Sequence, residues 1–165
     1  MIVRPAAPED VPAILPMVAR ICAFHERLDP AKYGFVPGVT DMYHDWLIAR
    51  STDPQSVFLV ADPGGDDSRR LAGFLIGTVE REIPIYRIER FGFIHDLWID
   101  EKYRNEGTAR QMVSLAIERF RNIGVPQVRL DVAFENQPAK NLFAACGFRP
   151  AVIEMIHDFQ SPSDM

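Results

Sequence analysis

The sequence predicts an α+β fold, a mixed and mostly antiparallel sheet flanked by helices. Residues 57–61, 71–79 and 91–99 are successive apolar segments of strand length, separated by polar or turn-forming stretches, the pattern of an antiparallel meander. Helical periodicity brackets them. Val11, Ile14, Leu15, Val18, Ile21 and Cys22 line one face before the strands, and Ala109, Met112, Val113, Ala116, Ile117 and Phe120 line one face after them. A length of 165 residues is the size of one compact unit. A single domain over residues 1–165 is expected, without repeat or linker.

In chain order, Ile2 and Val3 suggest a short first strand, and Pro8 stands near the first turn of the first helix. Pro16 is expected to kink or divide that helix, because it lacks an N–H and clashes one turn back. Residues 28–39 carry Pro30, Gly34, Pro37 and Gly38 among Tyr33 and Phe35, an aromatic loop, and Met42, Trp46 and Leu47 then suggest a second helix. The run 57–61 ends in a turn-rich stretch, 62–67, before 71–79 resumes, so the two read as a hairpin. Residues 83–88 are strand-like as well, with polar residues 89–90 before 91–99. Gly124 stops the third helix. Residues 128–132 read as a strand, 138–146 as a short helix closed by Gly147, and 151–159 as a last strand.

Composition excludes several classes of function. Hydrophobic residues make up 47% and charged residues 25%, which is not the composition of a disordered or low-complexity chain. Lys and Arg number 18 against 23 Asp and Glu, a net charge of −5, so the overall field repels a nucleic-acid backbone. An anionic ligand then needs a local site. Apolar runs fall far short of the ~20 residues of a membrane span, and Glu9-Asp10 stand where a signal peptide would be apolar. Cys22 and Cys146 are too few for a disulfide scaffold. A cytoplasmic protein without membrane or nucleic-acid partners is expected.

The chemistry concentrates where Leu97, Trp98 and Ile99 run through a tight turn into the third helix. Arg104, Asn105, Glu106, Gly107, Thr108 and Ala109 form that junction. A helix N-terminus offers free N–H groups and partial positive charge, so it can hold a pyrophosphate even on an acidic protein. Gly107 allows close approach to the backbone, Thr108 and Ala109 are small, and Arg104 can add a charged contact.

These residues resemble the GNAT superfamily of acyl-CoA N-acetyltransferases. Its signature, Gln or Arg, two residues, Gly, one residue, then Gly or Ala, is met by residues 104–109 with Ala109 in the last place. The family also carries a strand such as residues 95–99 before the turn, and an Asn-x-x-Ala-x-x-Leu-aromatic stretch ending in Gly-Phe. Here that stretch is Asn136, Ala139, Leu142 and Phe143, then Gly147-Phe148. The resemblance implies a sheet that splays apart between residues 91–99 and 128–132, with acetyl-CoA as cosubstrate in the opening. Leu97 and Ile99 would offer backbone hydrogen bonds to the pantetheine arm, residues 104–109 would cradle the pyrophosphate, and Asn136 would meet the arm near the thioester. The acceptor would be a primary amine of a small molecule or peptide, attacking directly with no acyl-enzyme and no metal. Cys146 then reads as a core residue at a helix end. Oligomeric state stays open, a homodimer included.

An attacking amine must be neutral, whereas an alkyl ammonium titrates near pH ~10.4. A base is expected on the strand before the turn, where His95 and Asp96 stand; histidine is better matched to neutral pH. Strand alternation would send the two to opposite faces, and a bulge could exchange them. His95 lies at least four strand residues, roughly 13 Å, before the turn, the depth of a pantetheine arm. Many relatives have Tyr where Phe143 stands, donating a proton to the departing thiolate. A phenyl ring can pack against the arm but cannot donate, which leaves Tyr103 or water. His25, His44 and His157 have no metal spacing and read as solvated. Phe24, Tyr33, Phe35, Met42, Tyr43 and Trp46, with Asp41 and Asp45, stand either around an acceptor pocket or simply over the sheet. Two other classes compete: a non-catalytic acyl-CoA sensor, which Phe143 alone favours, and a dinucleotide oxidoreductase, which the meander disfavours.

Overall fold

The computed structural model describes residues 1–64 and 70–159. Strand β1 (Ile2–Pro5) leads through a 3₁₀ turn (Pro8–Asp10) into helix α1 (Val11–Leu28), followed by α2 (Val39–Ser51). The meander is β2 (Ser56–Asp62), β3 (Gly73–Arg81) and β4 (Arg90–Ile99). A second 3₁₀ turn (Glu101–Tyr103), α3 (Thr108–Ile123), β5 (Val128–Leu130) and α4 (Gln137–Ala145) complete the elements. The five strands lie side by side in chain order, antiparallel up to β4, with β5 parallel to β4.

Alternation in β2 and β3 divides two cores between the faces of this sheet. Phe58, Val60, Phe74 and Ile76 pack under Ile14, Val18, Ile21 and Leu47 of the first two helices. Leu59, Leu75 and Ile94 pack under Met112, Val113, Ala116 and Phe120 of α3. Because both faces are covered, the central strands read as unbroken apolar runs. Phe120 lies directly against the sheet at Gly77 and Gly92. A Cβ at Gly92 would stand 2.6 Å from its ring carbons, so the absence of a side chain there lets α3 sit down over the β4–β5 pair.

Four expectations change. Pro16 does not divide α1, which runs unbroken; Pro16 forfeits one bond, while the buried residues Ile14, Met17, Val18 and Ile21 continue across it. Residues 83–88 are not a strand but the loop between β3 and β4, closed by Glu82 N–H donating to Glu89 O at 2.9 Å, with Ile83, Ile85 and Tyr86 exposed. Strand β5 stops at Leu130, two residues short of the expected end. Residues 151–158 have no regular structure and pair with no strand among the described residues, and Val152 is 87% exposed, so the apolar residues of this segment stay unburied. Glu154 of this segment is ion-paired with Lys32. The tip of the loop expected at 62–67 lies partly outside the described residues.

The Gly92–Phe120 contact sets a stability test. Phe120→Ala should lower the unfolding free energy by about 3–5 kcal/mol. Gly92→Ala should cost about 1–3 kcal/mol by overpacking. The double variant should be less destabilised than the sum, since the ring that clashes is gone; urea titrations of the four proteins measure this.

Candidate active site

Strand β4 is longer than its partner on one side. Gly92, Phe93 and Ile94 pair with Val128, Arg129 and Leu130 of β5, and there the pairing ends, while β4 runs on to Ile99. On the other side Asp100 N–H donates to Ala72 O at 2.8 Å. By the alternation of an antiparallel ladder, the peptide groups of Leu97 and Ile99 therefore point away from β3, toward the edge that β5 has left. The expected splay is present, and these two residues face it. The Ile99 carbonyl is already engaged, accepting from Arg104 Nε at 2.8 Å.

The same strand carries a bulge. Ile76 of β3 stands opposite Asp96, yet Gly77 stands opposite Ile94, so His95 is an extra residue without a partner. The expectation that His95 and Asp96 face opposite sides is thereby corrected: both turn toward α1 and α2. Trp46 meets the His95 ring edge-on, with centroids 5.4 Å apart, and Tyr43 Oη donates to Asp96 Oδ2 at 3.2 Å. The two differ in access. The His95 side chain is 29% exposed, whereas Asp96 is 8% exposed beneath Tyr43.

Burial shapes both groups. Loss of solvent lowers the His95 pKa, opposed by the nearby Glu80 carboxylate and assisted by Arg50, so the imidazole is neutral at physiological pH. Burial raises Asp96 to about 6, with the Tyr43 hydrogen bond opposing it. Tyr43 is raised in turn by burial and by Asp96. Thr78 and Glu80 on β3, which sequence reasoning missed, complete the surroundings: Thr78 Oγ1 lies 2.6 Å from His95 Nε2 and 2.5 Å from Glu80 Oε1. Their two-residue spacing on one strand was the available signal, usable only once the register is known.

At the other end of the opening, a cavity of about 300 Å³ is bounded by Ile99, Arg104, Gly107, Thr108 and Leu142 among others. Asn105 and Gly107 adopt left-handed backbone, φ 64° and 81°, a turn geometry in which successive N–H groups can converge. Among the described residues, Gln111, donating to Gly107 O at 3.0 Å, is the first amide after Arg104 with an intrachain acceptor. A Cβ on Gly107 would meet nothing within 4 Å, so glycine serves the backbone conformation and leaves the space in front of it open. Glu106 belongs to this turn and is exposed. The amides of residues 105–110 are thus left without backbone acceptors among the described residues.

The remaining residues singled out by the sequence sit in varied surroundings. Arg104 Nε donates to Ile99 O and its guanidinium lies 4.9 Å from the Trp98 ring centre, which braces the turn against the strand, while the side chain stays 42% exposed at the rim of the cavity. Asn136 caps α4, its Oδ1 accepting from Ala139 N–H at 3.2 Å, so part of its hydrogen-bonding capacity is spent on the helix start. Phe143 does not line the opening: it is 9% exposed, in the core against Phe148, and Leu142 lines the cavity instead. Tyr103 lines the same cavity, at the end remote from His95. His25 is half-buried and stacked on Tyr33 at 4.9 Å, while His44 and His157 are surface residues. Burial raises the thiol of Cys146, and that of Cys22 to about 11, so neither is an activated nucleophile. Among the described residues, no group of His, Cys, Asp and Glu could hold a metal ion, and no helix is long and apolar enough to cross a membrane.

A sheet that parts beside an amide-rich turn, with a family model for acetyltransferases matching residues 22–148, defines the class: this chain belongs to the acetyltransferase (GNAT) family. Among its relatives, the uncharacterized N-acetyltransferase YycN of Bacillus subtilis is 28% identical over 89 residues, 54% of each chain. Mycothiol acetyltransferase of Thermobifida fusca is 30% identical over 97 residues, 58% of this chain and 29% of that protein. The chain thus aligns with about half or less of the length of these curated relatives. A crystal structure of a mutant BH1408 protein from Bacillus halodurans superposes with a TM-score of 0.81, covering 97% of this chain and all of that one, at 19% identity, which shows the shared fold.

The elevated Asp96 pKa has a consequence for stability. The folded protein holds this proton more tightly than the unfolded chain, whose Asp titrates near ~3.9. Stability should therefore fall as pH rises from about 4 to about 6, through the folded pKa of about 6. Asp96→Asn should flatten that slope. Urea midpoints at pH values on either side of the window check the sign, and an identical slope in the variant would contradict it.

Proposed function

We propose that this protein is an acetyl-CoA-dependent N-acetyltransferase that moves an acetyl group to a primary amine by direct attack. The observation that carries the reading is the opening beside β4, with free amides at the turn after Arg104 at one end and His95 at the other. Bound acetyl-CoA would supply an activated thioester there. The chain's part is to bind and to move protons. Leu97 and the N–H of Ile99 offer backbone contacts along the strand edge, the amides of residues 105–110 offer pyrophosphate contacts, and the Asn136 amide nitrogen remains free beside α4.

His95 is the base in this reading, because it is neutral and accessible, whereas Asp96 lies beneath Tyr43. The amine nitrogen bonds to the acetyl carbon, the C–S bond breaks, and His95 accepts the proton that nitrogen loses. The thiolate takes a proton from water; a thiol titrating near ~8.5 is a tolerable leaving group. Tyr103 stands at the pyrophosphate end and is poorly placed for that step. Phe143, buried in the core, no longer favours a non-catalytic sensor. The acceptor is a small-molecule or peptide amine, drawn to a face that carries Glu80 and Asp96. One domain working in the cytoplasm, alone or as a homodimer, is part of the proposal.

Thiol release from acetyl-CoA across a panel of amines tests the reading, with calorimetric titration of CoA alongside. Gly107→Trp should abolish the CoA signal, since the side chain would project into the open space before the amides. His95→Ala should lower kcat by roughly 10²–10⁴-fold with CoA affinity unchanged. Wild-type protein that neither binds CoA nor releases thiol with any amine would overturn the assignment. Loss of turnover in Asp96→Asn but not in His95→Ala would move the base to the carboxylate.

A further inference from the structure

Thr78 has one hydroxyl proton and two close neighbours. Its Oγ1 is 2.5 Å from Glu80 Oε1 and 2.6 Å from His95 Nε2, while His95 Nε2 and Glu80 Oε1 are 3.6 Å apart. A carboxylate only accepts, and two oxygens at 2.5 Å without a proton between them would repel, so the hydroxyl proton points to Glu80. The threonine oxygen then has only lone pairs to offer the ring, and Nε2 must carry the hydrogen. Thr78 is buried, which keeps water from substituting for either partner. Trp46, at 89° to the ring, and Phe93, at 5.1 Å, hold the plane of the imidazole.

We infer that Thr78 and Glu80 are positioning residues that lock His95 as the Nε2–H tautomer, leaving Nδ1 as the nitrogen that accepts the proton of the attacking amine. The proposal rests on the reading of His95 as base. Among the described residues, Nδ1 makes no hydrogen bond on a ring that is partly open to solvent. When Nδ1 takes the proton as the N–C bond forms and the C–S bond breaks, the ring becomes a cation with the Glu80 carboxylate beside it. The charge on that cation returns to solvent as a proton from Nδ1. The charged and titratable groups facing the ring are Glu80 from β3, Arg50 and Tyr43 from α2, and Asp96 next to it on β4.

Long-range ¹H–¹⁵N spectra of uniformly labelled protein, recorded without acetyl-CoA above the His95 pKa, read the tautomer directly. The wild type should show a protonated Nε2 and a bare Nδ1. Glu80→Ala removes the acceptor, frees the hydroxyl to donate to the ring, and should shift the tautomer toward Nδ1–H; Thr78→Val should give a mixture, and Thr78→Ser should retain Nε2–H. A wild-type ring protonated on Nδ1, or a tautomer unmoved by Glu80→Ala, would overturn the proposal; Glu80 is half-exposed, so that variant is measurable even where Thr78→Val fails to fold. In turnover, Thr78→Val should lower kcat by roughly tenfold, the order of one neutral hydrogen bond, with KM for acetyl-CoA unchanged and Thr78→Ser restoring it. Glu80→Ala should move the acidic limb of the pH–rate profile to lower pH, because a charge that favours the cation is gone. Full activity in His95→Ala would instead remove the base reading while the spectra still report the tautomer.

Discussion

The backbone of β4 beyond Ile94 is the constraint on which the rest of the molecule turns. A strand in a sheet normally spends its peptide groups on two neighbours, and unpaired polar groups away from water are costly. Here β3 takes one edge all the way to Ile99, whereas β5 takes the other for only three residues. The remaining edge is left facing an opening. Phe120, seated on Gly92 where β4 and β5 are still paired, anchors α3 at the closed end of that opening. The parting of the strands is thus fixed by packing at one point and expressed as free hydrogen-bonding groups further along.

The bulge at His95 adds the chemistry to that edge. Without the extra residue, one of the two neighbouring groups would point toward α3, into the core that Ile94 occupies. With it, a neutral imidazole and a buried carboxyl group share the face covered by α1 and α2. They are nonetheless different instruments, because Trp46 leaves part of the imidazole open while Tyr43 covers the carboxylate. In the proposed function an acidic protein holds an anionic cofactor because free backbone amides at a helix start supply local positive potential whatever the net charge. Arg104 illustrates the point: the cation in the signature braces the loop through its Nε on Ile99 O, and the amides of residues 105–110 are left without backbone acceptors among the described residues.

Local sequence signals located most of the elements that build this arrangement. The third helix was legible from its apolar period and from Gly124, the turn from Gly107, and the short fourth helix from Asn136 and Gly147, because each is governed by contacts within a few residues. Residues 83–88 and 151–159 show where that reasoning stops. Both carry the apolar residues of a strand, but composition only states that a segment could be buried; neither pairs with a strand among the described residues, and both remain irregular.

By itself the sequence determined the family, the α+β class, most of the elements, the glycine-bearing turn after Arg104 and the pair of candidate bases, all of which rest on local spacing. Only the tertiary structure decided which way those bases face, since that depends on the register between Ile76 and Gly77 of one strand and the extra residue of the next. It also brought Thr78 and Glu80 to His95, placed Phe143 in the core and turned Arg104 back on Ile99. These outcomes are set by pairing and packing between segments far apart in the chain, where the energy of a contact has no counterpart in the spacing of residues along it.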